Sequence, residues 1–309
     1  MKINIVLSYP SLLGEWAQVI SYNLRKLGIE SDLCVPKLHK SDSEDLVNYR
    51  CPEADYYIIL NQAEFFMQNI PNDSKKICWF TEPIGFDSED QNLKAKADHL
   101  KEMREHCELL IVPERSTAQE ANEHNVRVDA VLGVGYDDLF NHYNDSLERN
   151  VNIYFEGGIN SRRRSIIETF KTPITKHGCF GDAYHQMLAQ AKVALNIHSY
   201  DCKTSFGFLR IMMSISESTL VISETIEDPY PFLNKEHLVI CDKNNIASVC
   251  EDYLEEKYEI GRQIALDAHK FVKEKYQMKD LLCKFIQGYV DNTFVGKDLD
   301  VEIPEIKGE

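Results

Sequence analysis

Val151-Asn152-Ile153-Tyr154-Phe155-Glu156-Gly157-Gly158-Ile159-Asn160-Ser161-Arg162-Arg163-Arg164 is the stretch on which the fold turns. A strand-length apolar run ends in two glycines, and helix-forming arginines follow. A strand that passes through a glycine loop into a helix opens a βαβ unit, because a parallel partner strand needs a crossover helix. The alternation extends in both directions. Upstream, the apolar runs predict strands at Ile3–Leu7, Ile29–Val35, Tyr56–Leu60, Lys76–Phe80, Leu109–Val112 and Val128–Leu132. Helical periodicity falls between them at Trp16–Leu27, Asn92–Cys107 and Ser116–His124. Downstream, helices are expected at Arg162–Phe170, Tyr184–Ala191, Gly207–Ser216, Ile246–Glu255, Ile260–Tyr276 and Lys279–Tyr289. Strands are expected at Val193–Ile197, Leu220–Ser223 and His237–Cys241. Unbroken hydrophobicity is what strands covered on both faces require.

The chain has 309 residues, too many for one ordinary core and suited to two of roughly 150 each. Asn141–Asn150 is polar with no periodic face and reads as a linker. The expected class is α/β, with two Rossmann-like doubly wound domains facing a cleft at the carboxyl ends of their sheets. The boundaries read as 1–140, a linker over 141–150, a second domain over 151–290, and an acidic tail over 291–309.

No apolar run approaches the ~20 residues of a bilayer span, and the first residues read as a strand rather than a leader. Nine cysteines, none at C-x-x-C spacing, fit reduced thiols and a cytoplasmic setting. The balance of 34 basic against 50 acidic residues, a net charge of −16, disfavours a polyanionic partner. Asp137-Asp138 and Asp298-x-Asp300 lie in a turn and in the tail, so no metal site is expected. The Glu156-Gly157-Gly158 loop is not G-x-G-x-x-G, which argues against a nicotinamide-dependent dehydrogenase.

The stretch Val151–Tyr276 resembles the donor-binding half of GT-B glycosyltransferases, closest to the group-1-like set related to the spore-maturation protein CgeB. The likeness lies in Ile153 to Arg164, in Ala189-Gln190-Ala191-Lys192-Val193-Ala194-Leu195-Asn196-Ile197-His198, and in Leu209-Arg210-Ile211 followed by Leu220-Val221-Ile222-Ser223-Glu224. The first half is similar only in its strand–helix pattern and in Leu132-Gly133-Val134-Gly135-Tyr136-Asp137, like the family's interdomain turn. The resemblance implies a transferase that moves a sugar from a nucleotide-sugar donor, without metal and with no cofactor beyond that co-substrate. It implies a first domain for the acceptor and a second for the donor. Many retaining members carry two glutamates seven residues apart. Setting the family's turn glycine on Ser218 puts Ser205 and Met213 in their places, so this chain lacks the pair.

On this reading Gly157 and Gly158 bring backbone N–H groups to a diphosphate, with Ser161 as the helix cap. Arg162 or Arg163 grips phosphate, while Arg164 turns away. His198 and Ser223 end strands where site residues collect, and Glu224 is placed for ribose or sugar hydroxyls. Arg210 stands in an apolar helix and needs either phosphate or Glu224. In the first domain Glu15, Glu82 and Glu114 are the candidate catalytic carboxylates. Gly14 and Trp16, in a loop over Ser8–Trp16, are the candidates for the acceptor side. The bland alternatives are a solvated basic helix start, a structural histidine and, for Trp16, a core anchor. Two rival functions stay open: a catalytically silent sugar- or nucleotide-binding protein on the same fold, and a phage-type DNA-base glycosyltransferase. The acceptor is a saccharide, a small molecule or DNA. For DNA a basic face on the first domain is needed, and only Lys2, Arg25, Lys26, Lys37 and Lys40 offer one.

Overall fold

A computed structural model of the chain describes residues 1–7, 12–34, 50–60, 70–71, 73–176 and 178–290. Ser8–Pro10, Lys37, Lys40, Asp298, Asp300 and the expected tail lie outside the described residues. The chain divides into two compact units, Met1–Gly133 with Met278–Glu309, and Val134–Gln277.

In the first unit β1 (Ile3–Leu7), β2 (Leu33–Cys34), β3 (Tyr56–Leu60), β4 (Lys75–Trp79), β5 (Leu109–Val112) and β6 (Ala130–Val131) form one sheet in the order β2-β1-β3-β4-β5-β6. Every pairing is parallel, with Ile5 opposite Ile58 and Ile58 opposite Ile77. The helices α1 (Leu12–Lys26), α2 (Gln91–His106), α3 (Arg115–Glu123) and the carboxyl-terminal helix, Met278–Val290, belong to this unit. Asp90 caps α2 by accepting from the N–H groups of Asn92 and Leu93. Trp16 is 1% exposed, set edge-on to Trp79 with ring centroids 4.6 Å apart. Trp79 donates its indole N–H to the Leu132 carbonyl at 3.0 Å.

In the second unit β7 (Val151–Tyr154), β8 (Ile174–Thr175), β9 (Ala191–Asn196), β10 (Leu220–Glu224) and β11 (Val239–Cys241) form a parallel sheet in the order β11-β10-β9-β7-β8. With it go α4 (Ser161–Ile167), α5 (Asp182–Gln190), α6 (Phe208–Ser216), α7 (Ile246–Leu254) and α8 (Tyr258–Lys275). The terminal helix Met278–Val290 is α9 and packs on α1. Its apolar positions Leu281, Leu282 and Phe285 are buried. From β7 the chain runs outward to β8 and then returns past β7 to β9. The strand order therefore reverses between β7 and β9, which in open parallel sheets opens a crevice beyond their carboxyl ends.

Four readings are corrected. The strand β8 was not expected: it is two half-buried residues after Pro173, too short for a periodic signal. The terminal helix, assigned by sequence to the second domain, belongs to the first unit. The expected linker is bound to the second unit: His142 N–H donates to Glu217 Oε2 at 2.9 Å. Arg149 donates to the carbonyls of Ala191, Glu217 and Ser218 and to the Thr219 hydroxyl, all within 2.9 Å. Gly14, Glu15 and Trp16 lie in the first turns of α1 and not in a loop.

At the carboxyl ends of β4 and β5 the first unit holds two carboxyl groups in opposite environments. Glu82 is half-exposed and paired with Lys96 at 2.5 Å. Glu114 is buried, its Oε2 accepting a long 3.4 Å bond from the Thr117 hydroxyl. Burial pushes its carboxyl up to about 8 from an ordinary 4.5, and the Glu82 charge adds to the rise. The folded state thus holds a proton that the unfolded chain releases, so this group's contribution to stability is full below about 4.5 and is lost as pH rises toward 8. In Glu114→Gln that loss is expected to vanish, leaving the variant more stable than the parent at pH 8 by up to a few kcal/mol and equal to it near pH 4.5. Urea unfolding of both proteins across this range checks it; parallel pH curves rule out a neutral Glu114.

Candidate functional site

The crevice beyond β7 and β9 is built from five short segments of the second unit. After β7, Phe155 and Glu156 lead into Gly157, which has a φ of +143°. A Cβ there would stand 3.1 Å from Arg163 Nη1 and 3.4 Å from Arg210 Nη2 and the Phe155 ring, so only glycine leaves those guanidiniums room. Glu156 is buried and holds the loop. Its Oε1 accepts from Gly157 N–H at 3.2 Å, and its Oε2 from the Tyr154 hydroxyl at 2.9 Å and Gly178 N–H at 3.0 Å.

The arginine run does three different things. Asn160, not Ser161, caps α4, its Oδ1 accepting from Arg163 N–H at 2.9 Å. Arg162 forks onto Glu224, Nη1 to Oε1 at 2.8 Å and Nη2 to Oε2 at 2.5 Å, and Nη1 also reaches the His198 carbonyl at 2.9 Å. Those bonds hold its guanidinium even more firmly charged than usual. Arg163 is buried and donates to the carbonyls of Ile197 at 2.9 Å and Gly158 at 2.8 Å. Burial first, and then the charge of Arg210, pull its proton affinity down to about 9. Arg164 is exposed, as the helical spacing predicts.

Three strand-end residues complete the floor. Asn196 is 1% exposed and accepts from Arg210 Nη1 at 2.7 Å. His198 is buried; its N–H donates to Glu224 Oε1 at 2.7 Å. Burial, the first cause, together with the charges of Arg210, Arg162 and Arg163, drops its imidazole to about 4 against the attraction of Glu224. It is neutral at pH 7. Ser223 accepts from Asn196 Nδ2 at 2.9 Å and donates to the Glu224 carbonyl at 2.9 Å.

Arg210, in the first turn of α6, lies over the Phe155 ring at 5.8 Å. Its Nε is buried with no hydrogen-bond partner, and among the described residues its guanidinium meets no carboxylate at ion-pair distance. Burial lowers its proton affinity. Gly207, just before it, has a φ of +73° and lies so close to Asn196 that a Cβ would be 2.5 Å from Oδ1.

Gly157, Gly158, Arg162, Arg163, His198, Arg210, Ser223 and Glu224 lie together at this end of the second sheet. Their pairings differ. Arg162, expected on phosphate, is held by Glu224, and Glu224, expected on sugar hydroxyls, has both oxygens in that fork. Arg210 takes Asn196 and not Glu224. Asn196, Glu156, Asn160 and Gly207 were missed, although a lone asparagine in the apolar run Val193–Ile197 is a visible flag. Ser205 and Met213 are buried, Ser205 bonding the Tyr200 carbonyl at 3.2 Å and Cys202 Sγ at 3.1 Å. In the first unit Trp16 has no face for a sugar because Trp79 and the core cover it, and Glu15 is buried beside it in α1. Among the described residues no group of three or more His, Cys, Asp or Glu is placed to hold a metal ion, and no helix is long and apolar enough to cross a membrane.

No family model and no curated protein matches the chain. Solved structures do. HepE from Anabaena in complex with UDP-glucose superposes with a TM-score of 0.62 at 11% identity, over 94% of this chain and 100% of that one. An alpha-glucosyltransferase with UDP and a 13-mer DNA gives 0.58 at 12%, over 94% and 100%. A putative UDP-N-acetylglucosamine 2-epimerase from Listeria monocytogenes gives 0.55 at 10%, over 97% and 99%. Two all-parallel sheets flanked by helices, in units that such structures match over nearly their whole length, give this chain the GT-B glycosyltransferase fold.

Proposed function

We propose that the chain is a metal-independent glycosyltransferase whose second unit binds a nucleotide sugar through its diphosphate. One observation carries the reading: a buried guanidinium, Arg210, with no carboxylate at ion-pair distance among the described residues, at the strand-order reversal of the second sheet and lined by two glycines. A leaving nucleoside diphosphate gains negative charge as the sugar bond breaks, and a fixed cation in a dry site stabilises that charge. Arg163 adds a second positive group. Neutral His198, whose Nε2 stands 3.4 Å from Asn196 Nδ2, lines the crevice without a charge of its own. Phe180, 50% exposed between Gly178 and Gly181, offers a ring face for a base. The ligands of the similar structures, UDP and UDP-glucose, support the choice of donor class.

The acceptor is unassigned. DNA is present in one similar structure, and the net charge of −16 weighs against it here. A second reading, a silent binding protein on the same fold, is favoured by Ser205 and Met213 where the resemblance sets glutamates. The fold itself does not choose between transfer and other nucleotide-sugar chemistry, since a putative epimerase shares it.

A thermal-shift screen of nucleotide sugars tests donor binding, a ligand at ~100 times its Kd adding about 2.7 kcal/mol. UDP is expected to bind equally well with and without EDTA; calorimetry showing a requirement for Mg or Mn overturns the metal-independent site. Arg210→Ala is expected to weaken UDP by roughly 1.5–3 kcal/mol and uridine far less, the scale of a charged hydrogen bond. Equal loss of both would remove Arg210 from the phosphate. Release of free sugar or of a glycosylated product separates an enzyme from a silent binder. Met213→Glu buries a carboxylate at a position that is 7% exposed and is expected to cost about 2–4 kcal/mol. Unchanged melting with tighter donor binding would instead reveal a worn form of the two-glutamate site.

A further inference from the structure

We propose that Asn196 is a positioning residue that aims the Arg210 guanidinium into the crevice with an amide and not a carboxylate in contact with it, and so sets the affinity of the site for a diphosphate. The inference rests on the reading of this crevice as a nucleoside-diphosphate site.

The side-chain amide of Asn196 has one orientation. Nδ2 faces the Phe206 carbonyl at 2.7 Å, which can only accept, the Ser223 hydroxyl at 2.9 Å, whose own proton goes to the Glu224 carbonyl, and, at a longer 3.4 Å, His198 Nε2. Oδ1 is therefore the atom turned to Arg210, 2.7 Å from Nη1. Gly207 makes that approach possible, since any Cβ there would press on Oδ1. From Asn196 the guanidinium reaches across to Gly157, where Nη2 lies 3.4 Å from the place a Cβ would take.

Two other arginines of this unit are spent outright. Arg162 has a carboxylate in its fork, and Arg149 has three carbonyls and a hydroxyl. Among the described residues Arg210 has a single neutral amide. An amide oxygen supplies direction and a modest hydrogen bond but no countercharge, so the positive charge stays available to an arriving anion. An aspartate has the same shape and would put a carboxylate in the same place, where it competes with phosphate for the guanidinium.

The test is calorimetric titration of the full chain with inorganic pyrophosphate and UDP, with uridine in parallel. Asn196→Asp is expected to lose affinity for pyrophosphate and UDP by about tenfold or more, with uridine affinity kept within about twofold. A folded Asn196→Asp that binds pyrophosphate as the parent does overturns the proposal. Loss of uridine in step with pyrophosphate overturns it too, because that is collapse of the site and not loss of its charge. Aspartate cannot donate to the Phe206 carbonyl, so this variant can fail to fold. Ser223→Ala then keeps the question open to measurement, since it removes only the hydroxyl that accepts from Nδ2. It is expected to weaken pyrophosphate by roughly three- to tenfold and leave uridine alone, and unchanged pyrophosphate affinity overturns the proposal. A parent chain that binds neither UDP nor pyrophosphate refutes the diphosphate reading itself, and the role of Asn196 with it.

Discussion

The fork of Arg162 on Glu224 is the contact around which the carboxyl end of the second sheet is organised. Glu224 ends β10, Arg162 stands in the first turn of α4 after β7, and the same carboxylate accepts the N–H of His198 just past β9. Three segments far apart in sequence are thereby fixed to one buried group. A buried ion pair is weak evidence for net stability, because desolvation offsets much of its attraction. Its effect here is geometric: with the fork closed, the ends of β9 and β10 and the start of α4 have one arrangement, and Arg210 is left facing the glycine loop.

The charge balance of the crevice follows. Arg162, Arg163 and Arg210 stand against two buried carboxylates, and both are committed, Glu224 to Arg162 and Glu156 to a tyrosine hydroxyl and two backbone N–H groups. The surplus positive potential reads out in its neighbours. Arg163 and His198 are both lowered, by burial first and by the other arginines after it. A bound anion would reverse that second influence and raise His198, coupling imidazole protonation to occupancy of the site.

Much of the fold was legible because buried parallel strands announce themselves as apolar runs, and ten of the strands fall on or within a residue or two of those runs. Ile174–Thr175 was not, since two half-buried residues carry no period, yet it is the strand that makes the order reverse beside β7. The destination of α9 was equally hidden. An amphipathic helix shows that it has a buried face without showing which unit covers it. In the site, the residue types were legible and the pairings were not. Three adjacent arginines look alike in sequence, and only the turn of α4 and the position of Glu224 decide that Arg162 is spent, Arg163 is tied to carbonyls and Arg164 faces solvent. Asn196 and Arg210 shared a detectable signature, a polar residue inside an apolar element, and each proves to answer the other.

On the proposed reading, and without the glutamate pair of many GT-B enzymes, the second unit holds its donor through fixed positive charge and neutral groups such as His198, the Gly157 N–H being taken by Glu156. That set recognises the diphosphate far better than the sugar. Ser205 and Met213 leave no charged group to grip sugar hydroxyls at those positions, and Ser205 is already turned to Tyr200 and Cys202. Discrimination among sugars by hydrogen bonding depends on buried polar groups that a wrong ligand leaves unpaired. Among the described residues Asn196, Ser223, Glu224 and Ser205 are already hydrogen-bonded within the protein. For the nucleotide-sugar ligand proposed above, the arrangement favours a site selective for the nucleoside-diphosphate end and permissive toward the sugar.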